Sequence, residues 1–296
     1  MIKSPLRYPG GKSRGIAEIA ARMPARFTEY REPMVGGGSV FCYVRQQFPD
    51  VRCWINDLNY DLVCFWKAAQ ADADVLADEL HRIRDRETDG RAFFERLRGV
   101  DKETLTDFDR ATRFFALNRI TFSGTIEAGG YSQGAFAGRW THSAIERVRD
   151  LAPLLSGVRI TYGDYEPLIS EPADAVFVFL DPPYLTATQS RLYGANGILH
   201  TGFDHERFAE IVHACPHDWL VTYDDAPILR ERFDKSALYG WRLQYGMNNY
   251  KQAGAAIGAE LMISNYEPVA TSKPEAATTQ FALSLEARSS YSLGDD

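Results

Sequence analysis

The stretch Ala175-Val-Phe-Val-Phe-Leu-Asp181-Pro182-Pro183-Tyr184 decides the fold. Its first six residues are apolar and rich in valine and phenylalanine, which predicts a strand buried on both faces. The run stops at a carboxylate, two prolines and a tyrosine. Proline gives no N–H to a ladder and fixes its own φ, so the strand ends there. An acid, a bare carbonyl and an aromatic ring remain at its C-terminal edge, where open α/β sheets bind ligands.

A chain of 296 residues has room for one large domain, or one domain with an insert. No apolar run approaches the roughly 18 residues that span a bilayer. Met1-Ile-Lys-Ser-Pro-Leu-Arg lacks the long apolar segment of a signal peptide. Cys42, Cys53, Cys64 and Cys215 form no Cys-x-x-Cys pair and read as reduced, buried thiols of a cytoplasmic protein. The net charge of −7 argues against a generally basic nucleic-acid binder. Residues 1–31, however, hold seven basic side chains against two acids, and a local basic face can bind phosphate on an acidic protein.

In chain order, Tyr8-Pro9-Gly10-Gly11-Lys12-Ser13 comes first. It lacks the glycine a P-loop needs five places before Gly11, where Leu6 stands. A Gly-Gly turn carrying Lys12 into a helix, Ile16 to Met23, remains. The lysine can meet a carboxylate or a phosphate, or be a solvated helix-start lysine. Next, a short strand runs into Glu32-Pro33-Met34-Val35-Gly36-Gly37-Gly38-Ser39 and a helix. Glycines there let the backbone approach a ligand. A second strand, Val51 to Ile55, ends in Asn56-Asp57-Leu58-Asn59. An acid at that tip suits ribose hydroxyls, or caps the helix that follows.

Residues 60–115 read as helices with apolar positions at 3–4 spacing. Asn118-Arg119-Ile-Thr-Phe122-Ser123-Gly124 then leads into Thr125 to Trp140, where glycines alternate with aromatics; a flexible loop or ribbon is expected. Arg119 and Arg139 suit phosphate or guanine, and the aromatics stack or wedge; a lid over the cofactor site is the alternative. Val158 to Tyr162 is a strand tipped by Asp164, residues 186–202 are expected to be a mobile loop, and Trp219 to Tyr223 is a strand. Trp241 to Met247 and Ala259 to Tyr266 close as an antiparallel pair, with Asn249 and Lys251 between them. His213-Ala-Cys215-Pro-His217 fits no common zinc spacing, so no metal is expected.

The Asp181 tip suits one task closely. An exocyclic ring amine is a poor nucleophile because its lone pair is delocalised. A carboxylate and a carbonyl can accept both of its N–H bonds, and an aromatic ring can stack on the base. Adenine, cytosine and glutamine amines all remain open on the tetrapeptide alone.

Together these motifs resemble the adenine-specific (N6) DNA methyltransferases of the Dam type. Tyr8-Pro-Gly-Gly-Lys12, Glu32 to Ser39, Asn56 to Asn59 and Asp181-Pro-Pro-Tyr184 are similar to that family's motifs in order and spacing. Asn118-Arg119-x-x-Phe122-Ser123-Gly124 and Glu260-Leu-Met-Ile-Ser-Asn265-Tyr266 are softer matches. The resemblance implies a Rossmann-like sheet that uses S-adenosylmethionine. Residues 1–59 and 158–267 would be the catalytic domain, 60–157 a mainly helical inserted target-recognition region, and 268–296 a disordered tail. It implies that Tyr8, Lys12, Gly36, Gly38, Asp57, Asp164 and Asp181 hold the cofactor. Asp181, Pro182, Pro183 and Tyr184 would act on a flipped adenine in duplex DNA, which Asn118, Arg119, Ser123, Arg139, Asn249 and Lys251 would contact. A cognate restriction enzyme is an implied partner. Thr125 to Trp140 lacks the Arg-Tyr-Asn and Phe-Asn-Val-Pro runs of enzymes that read GATC, so the resemblance does not extend to that site. Methylation of RNA or a protein glutamine, and a non-catalytic DNA-binding module, are the competing readings.

Overall fold

A computed structural model of the chain describes residues 1–8, 10–126, 129–185, 202–244 and 257–268. One sheet contains seven strands: β1 (Glu29–Glu32), β2 (Arg52–Asp57), β3 (Arg159–Tyr162), β4 (Val176–Leu180), β5 (Asp218–Asp224), β6 (Ala237–Gln244) and β7 (Ile257–Ser264). Their order is β3-β2-β1-β4-β5-β7-β6. Neighbours among β1 to β5 run parallel, and β7 enters antiparallel between β5 and β6. The chain winds outward from β1 in one direction and from β4 in the other, so the two adjacent strands form a switch point whose C-terminal edge opens into a crevice. This is the expected Rossmann-like sheet.

β4 lies at the centre, and all five of its side chains are buried. Phe177 and Phe179 enter one core with Tyr30, Phe41 and Trp66. Val176, Val178 and Leu180 enter a second core with Phe208 and Val212 on the opposite face. Each such side chain contributes roughly 1.5–3 kcal/mol on burial. The strand is thereby fixed from both sides, and its tip is rigid.

Between β2 and β3 lie α3 (Tyr60–Arg86), α4 (Gly90–Gly99), α5 (Asp107–Ile120), α6 (Gln133–Arg139), α7 (His142–Arg149) and α8 (Ala152–Leu155). They follow α1 (Ile16–Ala20) and α2 (Ser39–Gln47). α3 is interrupted at Asp72 (φ −161°, ψ 94°). The Asp72 carboxylate accepts from Val75 N at 2.9 Å and restarts the helix as a cap. α5 begins at a Thr106–Asp109 capping box. Phe65 of α3 stacks on Phe115 of α5, with centroids 5.6 Å apart and planes within 10°. These inserted helices share one continuous core with the sheet. Phe114, Phe115 and Trp140 belong to the cluster that holds Tyr30 and Phe177.

Two expectations change. The first helix ends at Ala20 rather than Met23. Arg22 N and Met23 N bond Ile19 O and Ala20 O in tightening turns, and Pro24 cannot continue a helix. The predicted loop at Thr125–Trp140 contains helix α6, capped by Ser132 Oγ, which accepts from Ala135 N at 3.2 Å. Trp140 is fully buried. The expected loop at 186–202 lies outside the described residues except for Gly202, and the expected tail lies outside them from residue 269 onward. Among the described residues, no helix is long and apolar enough to cross a membrane.

Candidate active site

Asp181 follows directly on β4, and its carboxylate is fixed from two sides. Lys12 Nζ lies 2.7 Å from Oδ1 and 2.9 Å from Oδ2. Thr222 Oγ1, from the neighbouring β5, donates to Oδ1 at 2.7 Å. Lys12 is 3% exposed whereas the Asp181 side chain keeps 22%, so the carboxylate opens toward solvent and the ammonium lies beneath it. Gly10 stands at φ 71°, a left-handed turn suited to glycine. The turn brings Gly10 O to 2.8 Å from Lys12 Nζ. The ammonium also lies 4.8 Å from the Tyr184 ring centroid, a cation–π distance. The sequence-predicted Lys12, Asp181 and Tyr184 therefore converge, although Lys12 and Asp181 are 169 residues apart in the chain.

The glycine turn sits beside them. Gly36 has φ 46°, and a Cβ on it would meet the Tyr8 ring at 2.9 Å. Gly38 has φ 63°, and a Cβ there would strike Trp66 at 2.7 Å. Trp66 of α3 also donates its indole N–H to Gly36 O at 3.3 Å. The inserted region thus supports the turn from below while Tyr8 covers it from above.

Asp57 closes this side. Its Oδ2 accepts from Gly36 N and its Oδ1 from Asn59 N, both at 2.9 Å. With a third N–H bond, from Leu58, the carboxylate keeps one acceptor site for a hydroxyl donor. Burial pushes the Asp57 carboxyl up to about 6, against the pull of N–H bonds from Asn59, Gly36 and Leu58. Two apolar side chains flank it that the sequence reading did not single out. Leu58 is 54% and Tyr162 53% exposed, at the tips of β2 and β3. Exposed apolar faces on either side of a strand-tip acid suit a flat ring above a ribose.

Glu32 was quoted within its motif but given no role. It ends β1 at 3% exposure and accepts from Tyr30 OH at 2.6 Å. Burial pushes it up to about 8, against the pull of the Tyr30 hydroxyl bond, and so favours its neutral form at neutral pH. Asp164 follows Gly163, whose N–H donates to Asp57 O at 3.2 Å; it is exposed, and despite partial burial its pairing with Arg207 at 3.1 Å holds it below the usual carboxylate range.

The DNA-facing expectations divide. Asn118 and Arg119 do not face outward. Asn118 is 0% exposed; its amide donates to Arg7 O at 2.6 Å and its Oδ1 accepts from Arg7 N at 2.9 Å. Arg119 is 4% exposed and donates to Arg139 O at 2.8 Å and Pro5 O at 2.9 Å. Both lock the N-terminal segment against α5, because carbonyls left inside a core need donors. Ser123 and Arg139 do reach the surface, and Phe122, next to Ser123, is 61% exposed. Ser123 holds φ 55°, strain that a surrounding structure must maintain. Arg7, Arg139 and Arg147 lie near enough to Arg119 to depress its pKa, after the larger effect of burial. Asn249 and Lys251 lie outside the described residues.

Arg119→Ala is therefore expected to lower thermal stability by about 2–4 kcal/mol, because several buried carbonyls lose their donor. Arg139→Ala is expected to leave the melt unchanged and weaken duplex binding. Gel-shift titration beside a thermal melt of each variant separates the two outcomes.

Residues 8–247 match the model of the D12 class N6 adenine-specific DNA methyltransferases. The chain is 30% identical over 203 residues to the Type II methyltransferase M.MjaIII of Methanocaldococcus jannaschii, covering 62% of this chain and 69% of that protein. It is 26% identical over 210 residues to the Type II methyltransferase M1.LlaDCHI of Lactococcus lactis, covering 68% and 71%. It is 25% identical over 251 residues to the DNA N-6-adenine-methyltransferase of Escherichia phage P1, covering 82% of this chain and 32% of that protein. With the fold, the crevice and a family match over residues 8–247 in agreement, the chain belongs to the D12 class N6 adenine-specific DNA methyltransferases.

Proposed function

We propose that this chain methylates adenine at one duplex sequence as the modification half of a restriction–modification pair, taking the base out of the helix and transferring the methyl group directly. Family membership makes adenine N6 in DNA the target and S-adenosylmethionine the methyl donor. The observation that carries the mechanism is Asp181, a carboxylate fixed by Lys12 and Thr222 yet open on its solvent side.

The donor supplies an activated methyl group, so the chain's task is to position and to stabilise charge. The residues present fit that cofactor. Asp57 keeps an acceptor site for a ribose hydroxyl, Leu58 and Tyr162 offer apolar contact, and the glycine turn admits close backbone approach. Asp181 and the Pro182 carbonyl accept the two N–H bonds of the target amine and stabilise the positive charge that grows on it. Tyr184 stacks on the base. Holding nitrogen against the methyl group in line yields most of the rate advantage. Exposed Phe122, with Ser123, Arg139 and the basic side chain of Arg7, forms the face that meets DNA. The Type II names of the two methyltransferases above support the modification role.

Transfer of tritiated methyl to duplex DNA, RNA and protein tests the reading. Label in DNA adenine alone is the expected result; label in RNA or glutamine, or none with tight DNA binding, would sink it.

The state of Asp57 adds a pH dependence. A ribose hydroxyl is best accepted by the ionised carboxylate, so cofactor affinity rises as pH rises through about 6 and levels above it. At pH 5 the dissociation constant is expected to be about ten-fold larger than at pH 7.5. Calorimetric titration with S-adenosylhomocysteine measures this, and Asp57→Asn is expected to bind weakly at every pH with no such inflection.

A further inference from the structure

Glu260 lies on β7 among the buried apolar side chains Leu261, Met262 and Ile263, yet it is itself 1% exposed. It faces Asp224 across the β5–β7 ladder, and Asp224 is 8% exposed. Two acids directly opposite each other repel, and burying either is costly. Each of them accepts a hydrogen bond from the segment that follows β4.

What they hold is the turn after Asp181. Tyr184 OH donates to Glu260 Oε2 at 3.0 Å. Leu185 N donates to Asp224 Oδ1 at 3.0 Å. The tyrosine is thus fixed at its hydroxyl end by β7, and its ring lies beside Lys12 at 4.8 Å and beside Tyr223 with centroids 6.0 Å apart. A phenol hydrogen-bonded at its hydroxyl end has less freedom to tilt than one held by its ring alone, because the bond is directional.

We propose that Glu260 is a positioning residue for methyl transfer: by anchoring the Tyr184 hydroxyl it sets the plane on which the target adenine stacks, and so the angle at which N6 meets Asp181. This rests on the proposed stacking role of Tyr184. Glu260 touches neither substrate nor cofactor; it acts through the tyrosine. The arrangement makes a sheet strand far along the chain part of the machinery that presents the base, and it gives the buried acid at the head of Glu260-Leu-Met-Ile a function beyond packing.

The experiment is single-turnover methyl transfer on saturating duplex DNA, with S-adenosylhomocysteine affinity and a thermal melt for every variant. Tyr184→Phe, which removes only the hydroxyl, is expected to lower the transfer rate about ten-fold with cofactor affinity unchanged. Glu260→Ala is expected to match it. Glu260→Gln, whose amide oxygen still accepts from the phenol, stays within about three-fold of the parent. The double variant Tyr184→Phe/Glu260→Ala is expected to be no slower than either alone, since both break one bond. Additive losses, or a Glu260→Gln as slow as Glu260→Ala, would overturn the proposal. If Glu260→Ala does not fold, Tyr184→Phe and Glu260→Gln decide it. A Tyr184→Ala variant that transfers at the parent rate would instead overturn the stacking role itself, and is read separately.

Discussion

Replacing Asp181 by alanine is expected to reduce methyl transfer by about 10³-fold while the protein stays folded, with a lower melting temperature because Lys12 keeps a buried charge without its partner, and binds duplex DNA within a few-fold of the parent. The argument starts from where the side chain stands. Asp181 follows a strand whose five side chains are all buried, so the backbone that carries it cannot drift. Lys12 and Thr222 fix its carboxylate, and the remaining face is open. Only a group that meets the amine as charge develops loses rate without losing binding. Asn at this position separates charge from shape. Asp181→Asn keeps an acceptor oxygen, so it is expected to fall between parent and alanine in single-turnover rate. Retained activity within ten-fold in the alanine variant would remove Asp181 from the chemistry.

Much of this was legible in the sequence because parallel strands advertise their ends. A buried strand is apolar throughout, so the first polar residue marks its tip. That logic placed Asp181 at the tip of its strand, while Asp57 and Asp164 read as acids closing the two predicted strands at 51–55 and 158–162. What stayed hidden depended on contacts far apart in the chain. Arg119 reads as a surface arginine beside a glycine-rich stretch, and nothing local shows that it serves Pro5 O, 114 residues away. Helix α6 contains Gly134 and Gly138, whose low propensity argued for a loop; burial of Ala135 and the Ser132 cap outweigh it. The Ser132 cap was a usable signal. The place of β7 between β5 and β6 follows from no pattern within either strand, since an antiparallel pair reads alike at an edge or inside. Glu260 was visible as an acid heading an apolar strand, but its partner Tyr184 was not.

Lys12→Met is the sharper test of the site as a built unit. The methionine fills the same channel without charge, so packing is nearly kept while the ion pair is lost. Breaking a buried pair from one side costs about 3–5 kcal/mol, because the remaining charge stays desolvated. Here the cost should lie near the lower figure, since Asp181 keeps 22% of its surface in solvent and Thr222 still donates to it. About 3 kcal/mol corresponds to a fall of roughly 6–12 °C in melting temperature for a chain of this size. Transfer is expected to fall about 100-fold, because the carboxylate is no longer held square to the amine. Lys12→Arg is not expected to rescue either property: a planar fork does not fit between Gly10 O, the Asp181 carboxylate and the Tyr184 ring, where a compact ammonium does. In the double variant Lys12→Met/Asp181→Asn, the uncompensated charge is gone. Its melting temperature should therefore recover toward the parent while transfer stays low. Stability and activity then part company, which a lysine serving only to hold the N-terminal turn in place would not produce.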